Sequence, residues 1–208
     1  MYKRFFKRFF SFLFALISII VLLPVFLILS FLVLIFIGKP IFFKQERTTI
    51  NKKTFFIIKF RTMTNEKDSK GKLLPDDKRL TKFGHFLRTT SLDELPELLN
   101  IIKGDMAFIG PRPLPNSYIK FYKDVELTRF DVRGGLIPPD SVDRNAVISW
   151  DKQFEYEKEY AKNVTIIKDF KILIGVFRII FQRNKTDYGS YVRLPLGVER
   201  KDMIKKED

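Results

Sequence analysis

From Phe9 to Gly38 the chain carries no charge. As a straight helix this run would reach roughly 45 Å, against about 30 Å of bilayer hydrocarbon. A tilted spanning helix is the default on hydropathy alone. A cleaved signal peptide is not expected, because the run is too long and lacks a small-residue cleavage site. Two features oppose a simple span. Lys3, Arg4, Lys7 and Arg8 precede the run, and Lys39, Lys44, Arg47, Lys52 and Lys53 follow it. Positive residues favour the cytoplasmic side, so both flanks claim the same face. Pro24 also divides the run into Phe9–Leu23 and Val25–Gly38, each about 21–23 Å long as helix and too short to cross alone. A helix bent at Pro24 that enters and leaves by one face satisfies both observations, if the backbone groups freed by the proline are satisfied locally. On the residues alone, spanning and re-entry both stay open.

With 208 residues, there is room for one domain and an appendage. The absence of cysteine excludes disulfides and thiolate metal sites. A single histidine, His85, excludes multi-histidine metal sites. Lysine and arginine outnumber aspartate and glutamate 38 to 24, a formal charge of +14. Such a surface seeks polyanions: nucleic acid, anionic lipid or phosphorylated substrates. No helix-turn-helix, zinc or RNP signature accompanies the charge, so nucleic acid is not expected as a partner. The 23 phenylalanines among so many cations suit a protein half-sunk in a membrane interface.

Two short aromatic and β-branched runs, Pro40–Gln45 and Thr54–Phe60, read as strands joined through Asn51-Lys52-Lys53. Lys59 and Arg61 leave the end of the second. Thr64 to Lys78 reads as a polar surface loop, with Asp76-Asp77 in a solvated turn. Leu80 to Arg88 reads as a short basic helix. In Ser91-Leu92-Asp93-Glu94-Leu95-Pro96, Pro96 suits the first turn of a helix, and Ser91 with Glu94 reads as a capping box. Asp93 and Glu94 would then lie where backbone N–H groups and the positive helix end favour a carboxylate or a phosphate. Acids in a first turn commonly do no more than stabilise it, so the motif gains weight only from its neighbours. That helix is expected to end near Gly104.

Met106–Ile109 is a short apolar segment. Pro111 and Pro113 bracket Arg112 and limit its freedom, which suits bidentate capture of a phosphate. Tyr118 to Val132 is helical in composition. Arg133 to Pro139 reads as a loop on the rim of a pocket. Trp150 to Lys162 is helical, and Ile166, Ile167, Phe170, Leu173, Ile174, Phe177, Ile180 and Phe181 recur with helical period among Lys168, Lys171, Arg178 and Arg183. This amphipathic helix could lie on an anionic leaflet or pack on the core. From Asn184 the tail is polar and without periodicity.

The ordered motifs resemble the small monotopic phosphoglycosyl transferases, the catalytic domain of the bacterial sugar transferase family. The resemblance runs from the N-terminal run through Lys59-Phe60-Arg61-Thr62-Met63, Leu73-Leu74-Pro75-Asp76-Asp77, Arg88 and Ser91–Pro96. It continues through Lys103-Gly104-Asp105-Met106, Gly110-Pro111-Arg112-Pro113 and Asn145–Trp150 to about residue 183. It implies an α+β, mostly helical monotopic membrane protein of the bacterial inner (cytoplasmic) membrane. Residues 1–39 would form a re-entrant helix broken at Pro24. Residues 40–183 would be a catalytic domain on the cytoplasmic face, with a short β-hairpin and interfacial helices, and 184–208 a polar tail.

The resemblance further implies a nucleotide-diphosphate sugar donor, a polyprenyl phosphate acceptor, Mg2+ and an Asp93-Glu94 dyad. Asp93 matches the nucleophile and would also hold the metal. Lys59, Arg61, Arg88 and Arg112 are the candidate phosphate-binding cations. A homodimer is compatible with this picture. Two departures stand out. Leu23-Pro24 replaces a common Ser-Pro at the helix break, and Gly134-Gly135-Leu136-Ile137-Pro138-Pro139 replaces a common R-P-G-x-T-G loop, which bears on donor identity. The rival reading is an inactive membrane-anchored scaffold of a glycan-assembly complex.

Overall fold

The computed structural model describes residues 2–143, 148–181 and 193–201. Its frame is a β-hairpin laid against one long helix. Strands β1 (Phe42–Thr48) and β2 (Thr54–Phe60) pair antiparallel, with Phe42 opposite Phe60 and Thr48 opposite Thr54. Asn51 and Lys52 close the turn at φ 55° and 57°. Asparagine tolerates that left-handed conformation better than most residues, which places the turn. Pleating then sorts the strand. Phe55, Ile57 and Lys59 share one face of β2, while Phe60 points to the other.

Helix α1 (Lys7–Phe36) is continuous through Pro24 rather than ending there. Its first half contributes Ala15 to a core with Phe55, Ile57, Leu98, Ile101 and Met106. Its second half contributes Leu29 and Val33, which pack with Ile37, Phe60 and Leu87. Both ends are bonded to the same body. At the start, Lys7 Nζ reaches Asp169 and the Tyr160 hydroxyl, and Arg8 donates to the carbonyls of Ile101 and Ile102. At the finish, Arg61 donates to the carbonyls of Ile37 and Lys39. Between these ends the helix bares apolar surface around the proline, with Ile20 65 % and Leu27 62 % exposed. Among the described residues it is the one helix long and apolar enough to cross a membrane.

After a loop with the short helix α2 (Asp76–Arg79), helix α3 (Lys82–Thr89) starts on Thr81, whose hydroxyl accepts from the Gly84 N–H. Gly84 is a point of close approach: a Cβ there would lie 1.8 Å from the Thr62 carbonyl oxygen. Helix α4 (Glu97–Lys103) ends on Gly104 at φ 101°, as expected, with its N–H returning to the carbonyls of Asn100 and Ile101. Strands β3 (Ala107–Ile109) and β4 (Gly135–Ile137) pair in parallel, so the expected rim loop is in part a strand. A Cβ on Gly135 would come within 2.1 Å of the Gly110 nitrogen, so the two segments meet where both lack side chains. Tyr118 to Val132, expected as helix, belongs to two 3-10 stretches, Asn116–Phe121 and Asp124–Asp131.

Helices α5 (Trp150–Lys162) and α6 (Ile166–Phe181) complete the wall. On α6, Ile167, Phe170 and Phe177 are exposed while Asp169 and Ile172 are buried, so this amphipathic helix turns apolar side chains outward. The side chains of Arg178, Ile180, Phe181 and Arg183 lie outside the described ones, as do Asn145–Val147.

Part of the expected polar tail, residues 193–201, packs back on the domain. Helix α7 (Leu196–Glu199) buries Leu196 completely among Leu114, Phe121, Trp150 and Phe154. Arg200 forms a forked pair with Glu126 at 2.7 and 2.9 Å, and also donates to the Phe121 carbonyl. Periodicity could not reveal this, because a single leucine and a single arginine make the anchor. Arg200→Ala strands a buried Glu126 carboxylate and should destabilise the fold by about 3–5 kcal/mol, measured by thermal unfolding in detergent.

Candidate active site

Asp93 and Glu94 sit on a 3-10 turn, Leu92–Glu94, ahead of α4 rather than in its first turn. Ser91 is left-handed, at φ 57°, and its side chain caps nothing, so the capping box does not form. Pro96 is the N-cap of α4, not its first-turn residue. The N–H groups of Glu94 and Leu95 are already given to the carbonyls of Ser91 and Leu92. The positive surroundings of the two acids therefore come from side chains rather than from a helix end.

Those side chains converge from three segments on a pocket of about 260 Å³. Lys59 comes from the end of β2, and Arg112 from the proline bracket. Both bond the same oxygen: Glu94 Oε1 accepts from Lys59 Nζ at 2.7 Å and from Arg112 Nη2 at 2.8 Å. Burial pushes the Glu94 carboxyl up, but Arg112 and Lys59 outweigh it and hold it below its ordinary range. Asp93, 9 % exposed, is raised, chiefly by burial and further by Glu94, against the pull of Lys59 and Arg88. A more basic carboxylate is a better nucleophile. Asp93 itself is not among the pocket-lining residues; it lies beside Glu94 at the pocket's margin.

The four expected phosphate-binding cations separate. Lys59 and Arg112 face the pocket. Arg88, exposed at the end of α3, donates from Nε to the Thr62 hydroxyl at 3.0 Å, and its charge reaches Asp93. Arg61 goes elsewhere: it is 6 % exposed and its guanidinium is committed to the carbonyls of Ile37 and Lys39, just past the end of α1. It anchors the end of the helix and, unlike Lys59 and Arg112, does not line the pocket.

The proline bracket is fixed from behind. The Arg112 N–H donates to Glu157 Oε1 at 3.2 Å, and its carbonyl accepts from Arg129 at 2.6 Å. Arg129 and the fully buried Glu157 are themselves paired at 3.1 Å. The residues alone do not single out several side chains that line the pocket, among them Arg47, Glu97, Tyr118 and Trp150. The hairpin register held the signal for Arg47, since it pairs with Phe55 and so shares the face of Ile57 and Lys59. Nothing in the sequence marks Tyr118 and Trp150 as neighbours, 5.8 Å apart edge to face.

Among the described residues no group of three or more His, Asp or Glu side chains forms a metal cluster. The acids at hand are Asp93, Glu94 and Glu97. Glu94 is taken by two cations. Glu97 lies 3.2 Å from Lys59, yet its carboxyl is pushed up to about 7, first by burial, because Lys59 is shared with Glu94 and Glu94 repels it. The folded chain thus keeps a proton that the unfolded chain releases above about 4.5. Stability from this group is full at low pH and is lost as pH rises through about 7. Glu97→Gln should therefore gain stability over the wild type between pH 5 and pH 8, with no such gain at pH 4, as read by urea unfolding.

The family described as bacterial sugar transferase matches residues 2–183. An uncharacterized sugar transferase, EpsL of Bacillus subtilis, is 47 % identical over 137 residues, covering 66 % of this chain and 68 % of that protein. The exopolysaccharide production protein ExoY of Sinorhizobium fredii is 32 % identical, with 80 % of each chain covered. The undecaprenyl-phosphate galactose phosphotransferase of Salmonella typhimurium is 30 % identical over 71 % of this chain, which spans about a third (34 %) of that longer protein.

Proposed function

Because the chain belongs to the bacterial sugar transferase family, we propose that it transfers a sugar-1-phosphate from a nucleotide-diphosphate sugar, a UDP-sugar in the first instance, to polyprenyl (undecaprenyl) phosphate. The observation that carries this reading is a buried, raised aspartate beside a pocket whose cations, Lys59 and Arg112, are held in place by Glu94. The undecaprenyl-phosphate acceptor named for the Salmonella relative supports the lipid half of it.

The chemistry follows in two displacements. An Asp93 carboxylate oxygen attacks the sugar-bearing phosphorus; the new O–P bond forms as the phosphoanhydride bond breaks and nucleoside monophosphate leaves. The phosphosugar is then an acyl phosphate on Asp93. An oxygen of the carrier phosphate attacks the same phosphorus and expels the carboxylate, leaving a diphosphate-linked lipid. Lys59 and Arg112 bind the donor diphosphate and offset the repulsion between two anions, and Arg88 keeps Asp93 ionised.

Magnesium fits the donor set in one form. Such ions are held by one or two carboxylates plus substrate phosphates, and Asp93, which makes no ion pair among the described residues, would supply the carboxylate. When bound it would neutralise charge on the diphosphate.

The topology we favour is re-entrant. Both ends of α1 bond to the same body and cations flank both ends, while exposed apolar residues run along the helix from Phe9 to Phe36, on both sides of Pro24. The positive flanks support placing that body on the cytoplasmic face of the bacterial inner membrane. The outward apolar side chains of α6 suit the same interface.

Incubation with donor alone should yield a covalent phosphosugar adduct by intact mass, absent in Asp93→Asn; no adduct with any nucleotide-sugar would refute the aspartyl mechanism. Single cysteines at Tyr2 and Lys39 should label from the same side of the membrane, and labelling from opposite sides would refute re-entry.

A further inference from the structure

Residues 193–201 lie beyond the stretch matched by the family, yet they close on the wall of the pocket. Arg193 lays its guanidinium 3.7 Å over the ring of Trp150. Its Nη1 donates to the Ile148 carbonyl at 3.2 Å and to Gln153 Oε1 at 2.8 Å. The Trp150 ring N–H donates to the Leu194 carbonyl at 2.9 Å. The same short segment therefore holds the indole by its face and by its edge. Leu196 and Arg200 fasten the segment to the domain a few residues further on.

A second path leaves Arg193 through hydrogen bonds. Gln153 Nε2 donates to Glu157 Oε1 at 2.9 Å, and that oxygen also accepts the Arg112 N–H. Gln153 and Glu157 are 1 % and 0 % exposed, so water cannot replace a missing member of this relay. Arg193 thus touches both walls of the pocket at one remove: Trp150 directly behind its ring, and Arg112 through two buried side chains. Arg193 does not itself line the pocket.

Trp150 is itself buried, and it backs the half-buried ring of Tyr118, which meets it edge to face in the lining of the pocket. An aromatic side chain backed in this way, together with a fixed guanidinium, matches a nucleotide, whose base packs on rings and whose phosphates pair with arginine. We propose that Arg193 is a positioning residue of a nucleoside-diphosphate pocket, fixing the Trp150 wall and the Arg112 bracket against which that ligand docks. This rests on the donor reading above and adds a segment outside the family match to the binding machinery.

Trp150 is the single tryptophan of the chain, so intrinsic fluorescence reports on this wall. The full-length protein in detergent is titrated with UDP, GDP and ADP. The wild type should give a saturable change with at least one of them. Arg193→Ala should bind that nucleotide about tenfold more weakly, the scale of one desolvated cation–π contact. Arg193→Lys keeps the charge near Gln153 but loses the planar stack, and should fall between the two.

In turnover, Arg193→Ala should raise the donor KM and leave the carrier-lipid KM unchanged; a merely structural defect would lower the active fraction and leave both. Should Arg193→Ala fail to fold, Arg193→Lys decides. Wild-type nucleotide affinity and donor KM in whichever variant folds, or no fluorescence response to any nucleotide in the wild type, overturns the proposal. Failure of the Asp93 adduct would refute the aspartyl chemistry and leave the titration still decisive for Arg193.

Discussion

A helix as apolar as α1 cannot stand beside a domain in water without being solvated by something, and here the domain itself does part of that work. Two of the four buried clusters are built on α1, one on Ala15 and one on Leu29 and Val33. The hairpin contributes to both, through Phe55 and Ile57 to the first and Phe60 to the second. The strand that carries Lys59 into the pocket is thus the strand that receives the helix. Polar contacts then fix the ends, with Arg8 satisfying the last carbonyls of α4 and Arg61 the carbonyls of Ile37 and Lys39 just past α1. An arginine at a helix C-terminus meets unpaired carbonyls and a favourable dipole at once.

The pocket inherits its rigidity from this arrangement and from a second, polar one. Arg129, Glu157 and Gln153 form a buried group that grips the backbone of Arg112 from both sides. Burial makes such a group sensitive to the loss of any one member, because no solvent is present to substitute. The prolines on either side of Arg112 do the remaining work by restricting the backbone. The Arg112 side chain that faces the pocket is therefore held twice, by its own fixed main chain and by its ion pair with Glu94.

Much of the frame was legible in the residues. The hairpin followed from two aromatic runs and an asparagine turn, and the end of α4 from Gly104. The family followed from an ordered set of short motifs. What sequence could not give was conformation in the turns and partners across the fold. Ser91 and Glu94 carry the spacing of a capping box, yet Ser91 turns left-handed and Glu94 is drawn to two cations from other segments. Arg61 stands two residues from Lys59 and points to a different partner because the strand ends between them. Leu196 and Arg200 looked like tail residues because their burial depends on Phe121, Trp150 and Glu126, all far away in sequence.

Glu94 gives the site one more property. A single carboxylate bonds both Lys59 and Arg112, so the two cations share one internal counter-ion. On the proposed reading, a phosphate entering between them would compete with Glu94 for the same donors, and the carboxylate stands in for the ligand until it arrives.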